Sequence, residues 1–501
     1  NALPRLPEPT DYVCRNSSGS TAKMRLITST SAEGVRCRGT RFPCLFATIG
    51  AGTRFTYHEI YCGGQFGRSL LVHAYGALKM PQHNQEIVRD FAKDVACTLR
   101  RAGFEALWAG GCVRDELLGR IPKDYDVATN ARPDDVRKVF AKKSIYAIPV
   151  GEAFGVLCVV DPKNKCQVEV ASFRSDGAYL DGRRPVNVTF STAEQDAQRR
   201  DFTINGLFFD PANGDYFDYV EGKVDIDRRI VRAIGDPEAR FSEDKLRILR
   251  AIRFTACLDF DLEEATRNAV TKMAGQIRVV SAERITGEMR LMLTDPHRSR
   301  ALQLLRDCGL LEILFEEAYR RPTKQIWEEM LAIGEQLSKP SFPLTLAILF
   351  SAVTDATAIK NIGQRWRLSN QQAERTAWLT EHLESLQKAR TKNWPQLQRI
   401  LIHEGSGELL QLLGARVACN LADEEDLAFC RERLTWPEAD LNPPPLLNGN
   451  DLAAHGLRPG KRYRELLVAI RDAQLLKQIR SRDEALRLVD QLLDTSGEEP
   501  L

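Results

Sequence analysis

Asp124 and Asp126 stand two apart in the run Lys123-Asp124-Tyr125-Asp126-Val127, which reads as a short strand over Tyr125–Val127. Alternate residues of a strand leave by the same face, so the two carboxylates project together, an arrangement that can hold Mg²⁺. Just upstream, Leu107-Trp108-Ala109-Gly110-Gly111-Cys112-Val113-Arg114-Asp115 carries a strand, Glu105–Ala109, through two glycines into a helix that starts near Val113. Where Cβ atoms are missing, backbone can approach a triphosphate closely, and a helix start offers free N–H donors; Arg114 adds a charged one. A third acid, Glu169 in Gln167-Val168-Glu169-Val170-Ala171, faces away from its apolar neighbours Val168 and Val170. Singly, each feature has a plain structural alternative, because surface strands and turns often carry solvated acids. Together they are the parts of metal-assisted nucleotidyl transfer.

The surrounding elements must bring these parts to one place. From Gln85 the residues Ile87, Phe91, Val95 and Leu99 recur at helical spacing and predict a helix closed by Arg101-Ala102-Gly103. Further strands are expected at Gly155–Val160, Gln167–Phe173, Leu207–Asp210 and Ile230–Ala233, which makes residues 80–236 an α/β head with a palm-like mixed sheet. From Phe241 onward the period is helical. Helices are expected at Ser242–Cys257, Glu263–Met273, Ala282–Met292, Ser299–Cys308, Ile326–Leu337, Gln371–Leu386, Trp394–His403 and Glu408–Asn420. Pro443-Pro444-Pro445 cannot continue a helix and marks a hinge before a last basic unit, Leu446–Leu493.

The order of motifs resembles the class II tRNA nucleotidyltransferase and bacterial poly(A) polymerase family, which builds RNA 3′ ends without a template. Besides the segments above, the resemblance rests on Phe173-Arg174-Ser175-Asp176-Gly177-Ala178-Tyr179, Asp181-Gly182-Arg183-Arg184-Pro185, Arg199-Arg200-Asp201-Phe202-Thr203-Ile204-Asn205, Gly235-Asp236-Pro237 and the run from Arg240 to Phe254. It implies a head followed by an all-α neck (237–300), body (301–442) and tRNA-binding tail (443–501). It also implies base reading by Asp244 and Arg247, triphosphate contacts by Arg250 and Arg253, and a ribose or phosphate contact by Arg200. The base-reading assignment has a physical rationale. On one helix from Ser242, residues Glu243, Asp244, Arg247 and Arg250 share a face opposite Ile248, Leu249 and Ile252. A carboxylate accepts from the exocyclic amino group of cytosine or adenine, while a guanidinium donates to ring acceptors on the same edge. Salt bridges on a solvated helix face are the alternative.

Two positions depart from the family's pattern: Lys245 stands where proline is usual, and Gly151-Glu152-Ala153-Phe154-Gly155 stands where many relatives carry His-Gly-Thr. The second leaves the nucleotide repertoire open between full CCA addition and a part of it. Leu344–Ala352 has no His-Asp pair and reads as core helix, and His297, His382, His403 and His455 are singletons without metal spacing. The tail motif Leu446–Leu452, with Gly456-Leu457-Arg458-Pro459-Gly460-Lys461-Arg462, resembles that of the tRNA enzymes and favours tRNA over a poly(A) tail as the product.

Composition sets the outer bounds. At 501 residues, with 43% hydrophobic and 28% charged side chains, several domains are expected and disorder throughout is excluded. No apolar run is long enough to span a membrane. The net charge of +2 hides an asymmetry: residues 1–79 hold ten Lys/Arg against four Asp/Glu, so the remainder is nearly neutral and RNA must be held by local basic faces. That leader, expected to be poorly ordered, has the composition of a transit peptide or of sequence upstream of a start at Met80. Twelve cysteines without a C-x-x-C pair fit reduced thiols in a cytoplasmic protein. The expectation is a tRNA 3′-end nucleotidyltransferase using CTP, ATP and two Mg²⁺ at Asp124 and Asp126, with Glu169 assisting. The alternatives are a poly(A) polymerase and a catalytically silent RNA-binding protein; oligomeric state is not legible.

Overall fold

The computed structural model describes residues 85–141, 145–151, 155–164, 166–177, 188–315, 322–351 and 356–494, together with the backbone of four strands further upstream. In that upstream unit, read as a leader, β1 (Asp11–Arg15) pairs antiparallel with β2 (Thr21–Arg25), and β3 (Leu45–Ile49) with β4 (Thr53–Tyr57). Residues 152–154, Tyr179 and the Asp181–Pro185 motif lie outside the described residues.

The second compact unit, Gln82–Leu501, opens with α1 (Gln85–Arg101). Phe91, Val95 and Leu99, one turn apart, are buried, whereas Ile87, expected on the same stripe, stays 38% exposed because it lies in the first turn, before the helix reaches the sheet. Gly103, at φ 91°, turns the chain out of the helix, a conformation that other residues adopt with strain.

Seven strands then form one mixed sheet in the order β13-β12-β5-β6-β9-β8-β7. These are β5 (Ala106–Ala109), β6 (Asp126–Thr129), β7 (Tyr146–Gly151), β8 (Val156–Asp161), β9 (Cys166–Ser172), β12 (Leu207–Phe209) and β13 (Tyr216–Asp218). Only the central pair β6·β9 is parallel. A side pair, β10 (Arg174–Asp176) with β11 (Val188–Phe190), stands apart. Strand β7 was not legible: Pro149 interrupts its pattern, which an edge position next to a bulge tolerates. In β9 the burial alternates from Cys166 to Val170, leaving Gln167 and Glu169 on the open face.

Helices α2 (Gly111–Leu117), α3 (Pro133–Phe140), α4 (Ala193–Gln198) and α5 (Gly222–Asp227) complete the head. The expected single helix Ser242–Cys257 is two: α6 (Pro237–Glu243) and α7 (Leu246–Leu258). Next come α8 (Glu264–Met273) and α9 (Ala282–Leu293), then helices almost without interruption to Leu434. Leu344 to Leu349 is indeed a buried helical stretch. One apolar core runs from Phe91 to Cys430, while Leu447, Leu452, Leu466, Ile470, Ala485 and Val489 make a separate small core for the C-terminal helices. The proline run between them is pinned: Arg471 donates to the Pro443 carbonyl at 2.5 Å and Gln474 to that of Pro444 at 2.7 Å. No helix among the described residues is long and apolar enough to cross a membrane.

Candidate active site

Strand β5 is fully buried and ends at Gly110, whose φ of 75° and ψ of −125° fall in territory used by glycine. A Cβ there would come within 2.7 Å of Arg200 Nη1, so the missing side chain is what lets Arg200 lie against this turn. Gly111 is under no such pressure, since its Cβ would meet nothing closer than 3.7 Å. Arg114, expected to reach toward phosphate, turns inward. It is buried, donates to Asn205 Oδ1 at 2.6 Å and to Asp115 Oδ1 at 2.9 and 2.7 Å, and stacks over Phe254.

Both aspartates lie at the start of β6, with Asp124 just before the strand rather than within it. Exposure still alternates: Asp124 and Asp126 are open while Tyr125 between them is 3% exposed, so the carboxylates share a side as expected. Tyr125 is anchored by its hydroxyl, which donates to Glu116 at 2.8 Å, and Glu116 in turn accepts from Arg89 at 2.7 Å. The parallel register sets Asp126 beside Glu169. Although Asp126 keeps solvent access, the surrounding protein atoms, then Asp124 and Glu169, push its pKa up to about 7, with Arg200 opposing. Glu169 is raised for the same reasons, desolvation first and Asp124 second. This concentration of negative charge is the environment a divalent cation relieves. Among the described residues no three acidic, His or Cys side chains are spaced to ligate one ion, so the donor set that fits is the aspartate pair with Glu169 as neighbour.

Behind the acids runs a buried polar chain. Asp196, 1% exposed, accepts from Arg200 at 3.1 and 2.9 Å and from Arg199 at 3.0 and 2.7 Å; burial works against its charge, but the two guanidiniums hold its pKa below the usual carboxylate range. Asp201 accepts from Asn205 at 3.0 Å and from Arg250 at 2.7 Å. Burial opposes ionisation there too, and Arg250, Asn205 and Arg247 outweigh it. Asn205 therefore links Arg114 of the glycine turn to Arg250 of α7.

The break between α6 and α7 falls at Asp244, whose φ of −143° and ψ of 105° are extended. Its Oδ1 accepts the Leu246 N–H at 3.1 Å, so the side chain starts α7 instead of riding on a continuous helix face. Asp244 then meets a residue that sequence reasoning missed: Arg284 of α9 donates Nη1 to Oδ1 at 3.0 Å and Nη2 to Oδ2 at 2.7 Å. Arg247 is 8% exposed and held by Glu243 and by the Arg240 and Arg199 carbonyls, the latter two at 2.9 and 3.1 Å. Arg253 pairs with Glu288 of α9, which also lies 3.8 Å from Arg250. Arg250, Arg253 and Arg114 all place their guanidiniums within 5.2 Å of the Phe254 ring. Glu288 and Arg284 are four apart on an expected helix; that spacing was their one visible signal. A cavity of about 550 Å³ is lined by Asp176, Arg199, Arg240 and Glu243 among others, and Glu243 is also a partner of Arg247.

The four described histidines have packing or pairing partners. His382 and His403 stack on Trp378 at 4.5 and 3.6 Å, His455 pairs with Asp490, and His297 with Asp295. The eight described cysteines are free thiols.

Comparison with known proteins finds family matches in both the head and the helical region. Residues 106–232 match the poly A polymerase head domain, and residues 259–320 match the probable RNA and SrmB-binding site of polymerase A. A CCA-adding enzyme of Lactobacillus helveticus is 32% identical over 399 residues, covering 79% of this chain and 95% of the relative. The crystal structure of the Bacillus stearothermophilus CCA-adding enzyme in complex with CTP superposes with a TM-score of 0.65 at 28% identity, over 81% of this chain and 98% of that one. The Thermotoga maritima CCA-adding enzyme complexed with tRNA shares the fold, with a TM-score of 0.56 at 19% identity over 80% of this chain and 95% of that one.

Proposed function

The chain belongs to the CCA-adding enzyme family, and from that premise we propose that it completes tRNA 3′ ends with C and A residues from CTP and ATP, Asp124 and Asp126 holding Mg²⁺ and Asp244 with Arg247 reading the base. The observation that carries the catalytic assignment is the Asp124, Asp126 and Glu169 cluster on the open face of the central parallel strands, where burial first and then repulsion by Asp124 and Glu169 raise Asp126 to about 7. A dication bound to the aspartate pair would supply charge neutralisation at the α-phosphate and acidify the attacking 3′-hydroxyl.

The remaining groups orient the substrates. Gly110 leaves the space in which Arg200 lies, and Asp196 holds that guanidinium on the same side as the acids' field, where it opposes the rise at Asp126. Arg250 and Arg253 offer positive charge toward a triphosphate from α7, each already oriented by Asp201 or Glu288. The tail helices are built on their own apolar core, and Arg458 in the preceding turn with Lys461, Arg462 and Arg464 in the first turn of Lys461–Leu475 makes a basic cluster suited to phosphate backbone.

The test is single-nucleotide incorporation with Mg²⁺ on three acceptors: tRNA lacking CCA, tRNA ending in CC, and oligo(A). C addition to the first and A addition to the second are expected. Extension of oligo(A) matching or exceeding that of tRNA would instead make the protein a poly(A) polymerase. The same assay without ATP, or without CTP, separates full CCA addition from addition of a part.

A further inference from the structure

The sheet itself does not hold the Asp124 end of the acid pair. Strand β6 begins at Asp126, which is registered with Glu169 of β9, and its first partner on β5 is Trp108, opposite Val127. Asp124 and Tyr125 therefore lie ahead of the strand pairing, and the side chain of Tyr125 does the fixing. Its ring is buried, with its centroid 4.7 Å from that of Trp108 and the planes inclined at 60°. Its hydroxyl donates to Glu116 Oε1 at 2.8 Å. The same oxygen accepts from Arg89 Nε at 2.7 Å, and Oε2 accepts from Arg89 Nη2 at 3.2 Å. The Arg89 guanidinium also lies 5.3 Å from the Trp108 ring centroid. Three elements thus meet at one carboxylate: α1 through Arg89, α2 through Glu116, and the aspartate loop through Tyr125. Only 18% of the Glu116 side chain is exposed, so water screens these bonds weakly.

Helix α2 is the helix that leaves the glycine turn, so Glu116 ties that turn to the loop carrying the acids. Mg²⁺ demands near-ideal octahedral geometry with short metal–oxygen distances, and a ligand pair that drifts holds it poorly. We propose that Glu116 is a positioning residue for the metal site: through the Tyr125 hydroxyl it fixes where Asp124 and Asp126 present their carboxylates relative to the glycine turn. Tyr125 leaves the chain on the opposite side from the two aspartates, so neither it nor Glu116 touches metal or nucleotide; both act through the backbone between the acids. This inference rests on the assignment of Asp124 and Asp126 as the metal-holding pair.

The experiment uses the full chain and four variants, Tyr125→Phe, Glu116→Gln, Glu116→Ala and Asp124→Ala. Binding of Mn²⁺, standing in for Mg²⁺, is counted by electron paramagnetic resonance without turnover. C addition to tRNA lacking CCA then gives kcat, KM for tRNA and the half-saturating Mg²⁺ concentration, with thermal melting alongside. Partners that orient metal ligands are typically worth 10- to 100-fold in metal affinity or activity, so Tyr125→Phe should weaken Mn²⁺ binding and raise half-saturating Mg²⁺ about tenfold. KM for tRNA should stay unchanged. Glu116→Ala should do at least as much, and Glu116→Gln, which keeps one acceptor oxygen, should fall between it and the native protein. Tyr125→Phe keeps the ring packing and serves alone should Glu116→Ala fail to fold. If Tyr125→Phe and Glu116→Ala bind Mn²⁺ as the native protein does while Asp124→Ala loses it, the role of Glu116 is overturned and the metal assignment stands. A lowered melting temperature with unchanged metal affinity overturns it equally, because the contact would then be structural only. Native Mn²⁺ binding by Asp124→Ala would overturn both.

Discussion

Replacing Gly110 by alanine separates two effects that a glycine usually confounds. The backbone at φ 75° and ψ −125° lies in sparsely populated territory for a residue with a Cβ, which costs on the order of 1–3 kcal/mol. The added methyl also meets Arg200 Nη1 at 2.7 Å, so that guanidinium must retreat about 0.7 Å to reach ordinary contact. It cannot do so freely, because its Nε and Nη2 are tied to Asp196 at 3.1 and 2.9 Å. Displacements near 1 Å at a reacting centre can cost up to about 100-fold in rate, so kcat/KM should fall on the order of 10- to 100-fold. Gly119→Ala is the control: φ is also positive, at 66°, but the new Cβ has nothing within 4 Å. It should lose roughly 1–2 kcal/mol of stability and keep its rate. Nucleotide incorporation and thermal melting of both variants decide the matter. Equal specific activity in Gly110→Ala and Gly119→Ala, measured where both are folded, would refute the claim that the bare turn exists to seat Arg200.

Asp124→Ala and Asp126→Ala should each abolish incorporation while tRNA affinity in a filter-binding assay changes little, because the basic tail lies elsewhere; turnover in either would sink the metal assignment. Asp201→Asn should destabilise the head by roughly 3–5 kcal/mol by leaving Arg250 without its buried partner. The folded pKa of Asp201 lies below its ordinary 3.8, so its contribution is present above about pH 4 and lost as pH falls further. The stability gap between the native protein and Asp201→Asn should therefore narrow below pH 4, and a gap independent of pH would contradict the pairing. Truncation before Pro443 should raise KM for tRNA, leave KM for nucleotide nearly unchanged, and matter less as salt rises; equal tRNA kinetics with and without the tail would remove it from RNA binding.

The head's central strands were legible because their burial is one-sided: the alternation Val168, Glu169, Val170 specifies which face Glu169 leaves by, and the β6·β9 register then brings it beside Asp126. Edge strand β7 escaped because Pro149 breaks the pattern and only the pairing with β8 makes an extended conformation there worthwhile. Arg114 illustrates a different limit. Its spacing after the glycines predicts a phosphate donor, but Asn205, 91 residues on, captures the guanidinium, and no local rule reports a partner so distant.

The α6/α7 break was readable in principle, and its misreading shows where periodicity misleads. Apolar residues from Phe241 to Ile252 keep a helical period across the break because both helices pack on one core. Capping chemistry points the other way. Asp236-Pro237 opens α6, with the Asp236 carboxylate accepting the Ala239 N–H at 2.8 Å, and Asp244 opens α7 by accepting from Leu246. Two aspartates eight residues apart, each able to start a helix, argue for two helices. The break has a consequence that a continuous helix could not provide. An Asp244 inside a helix would share its face with Arg247 and hold no fixed orientation of its own. Placed at an extended residue, it is gripped by Leu246 from one side and Arg284 from the other, so the direction of its remaining lone pair is set by backbone and by α9 together. The base-reading role proposed for Asp244 requires such a fixed edge, and the carboxylate is held in part by a residue 40 positions away in sequence.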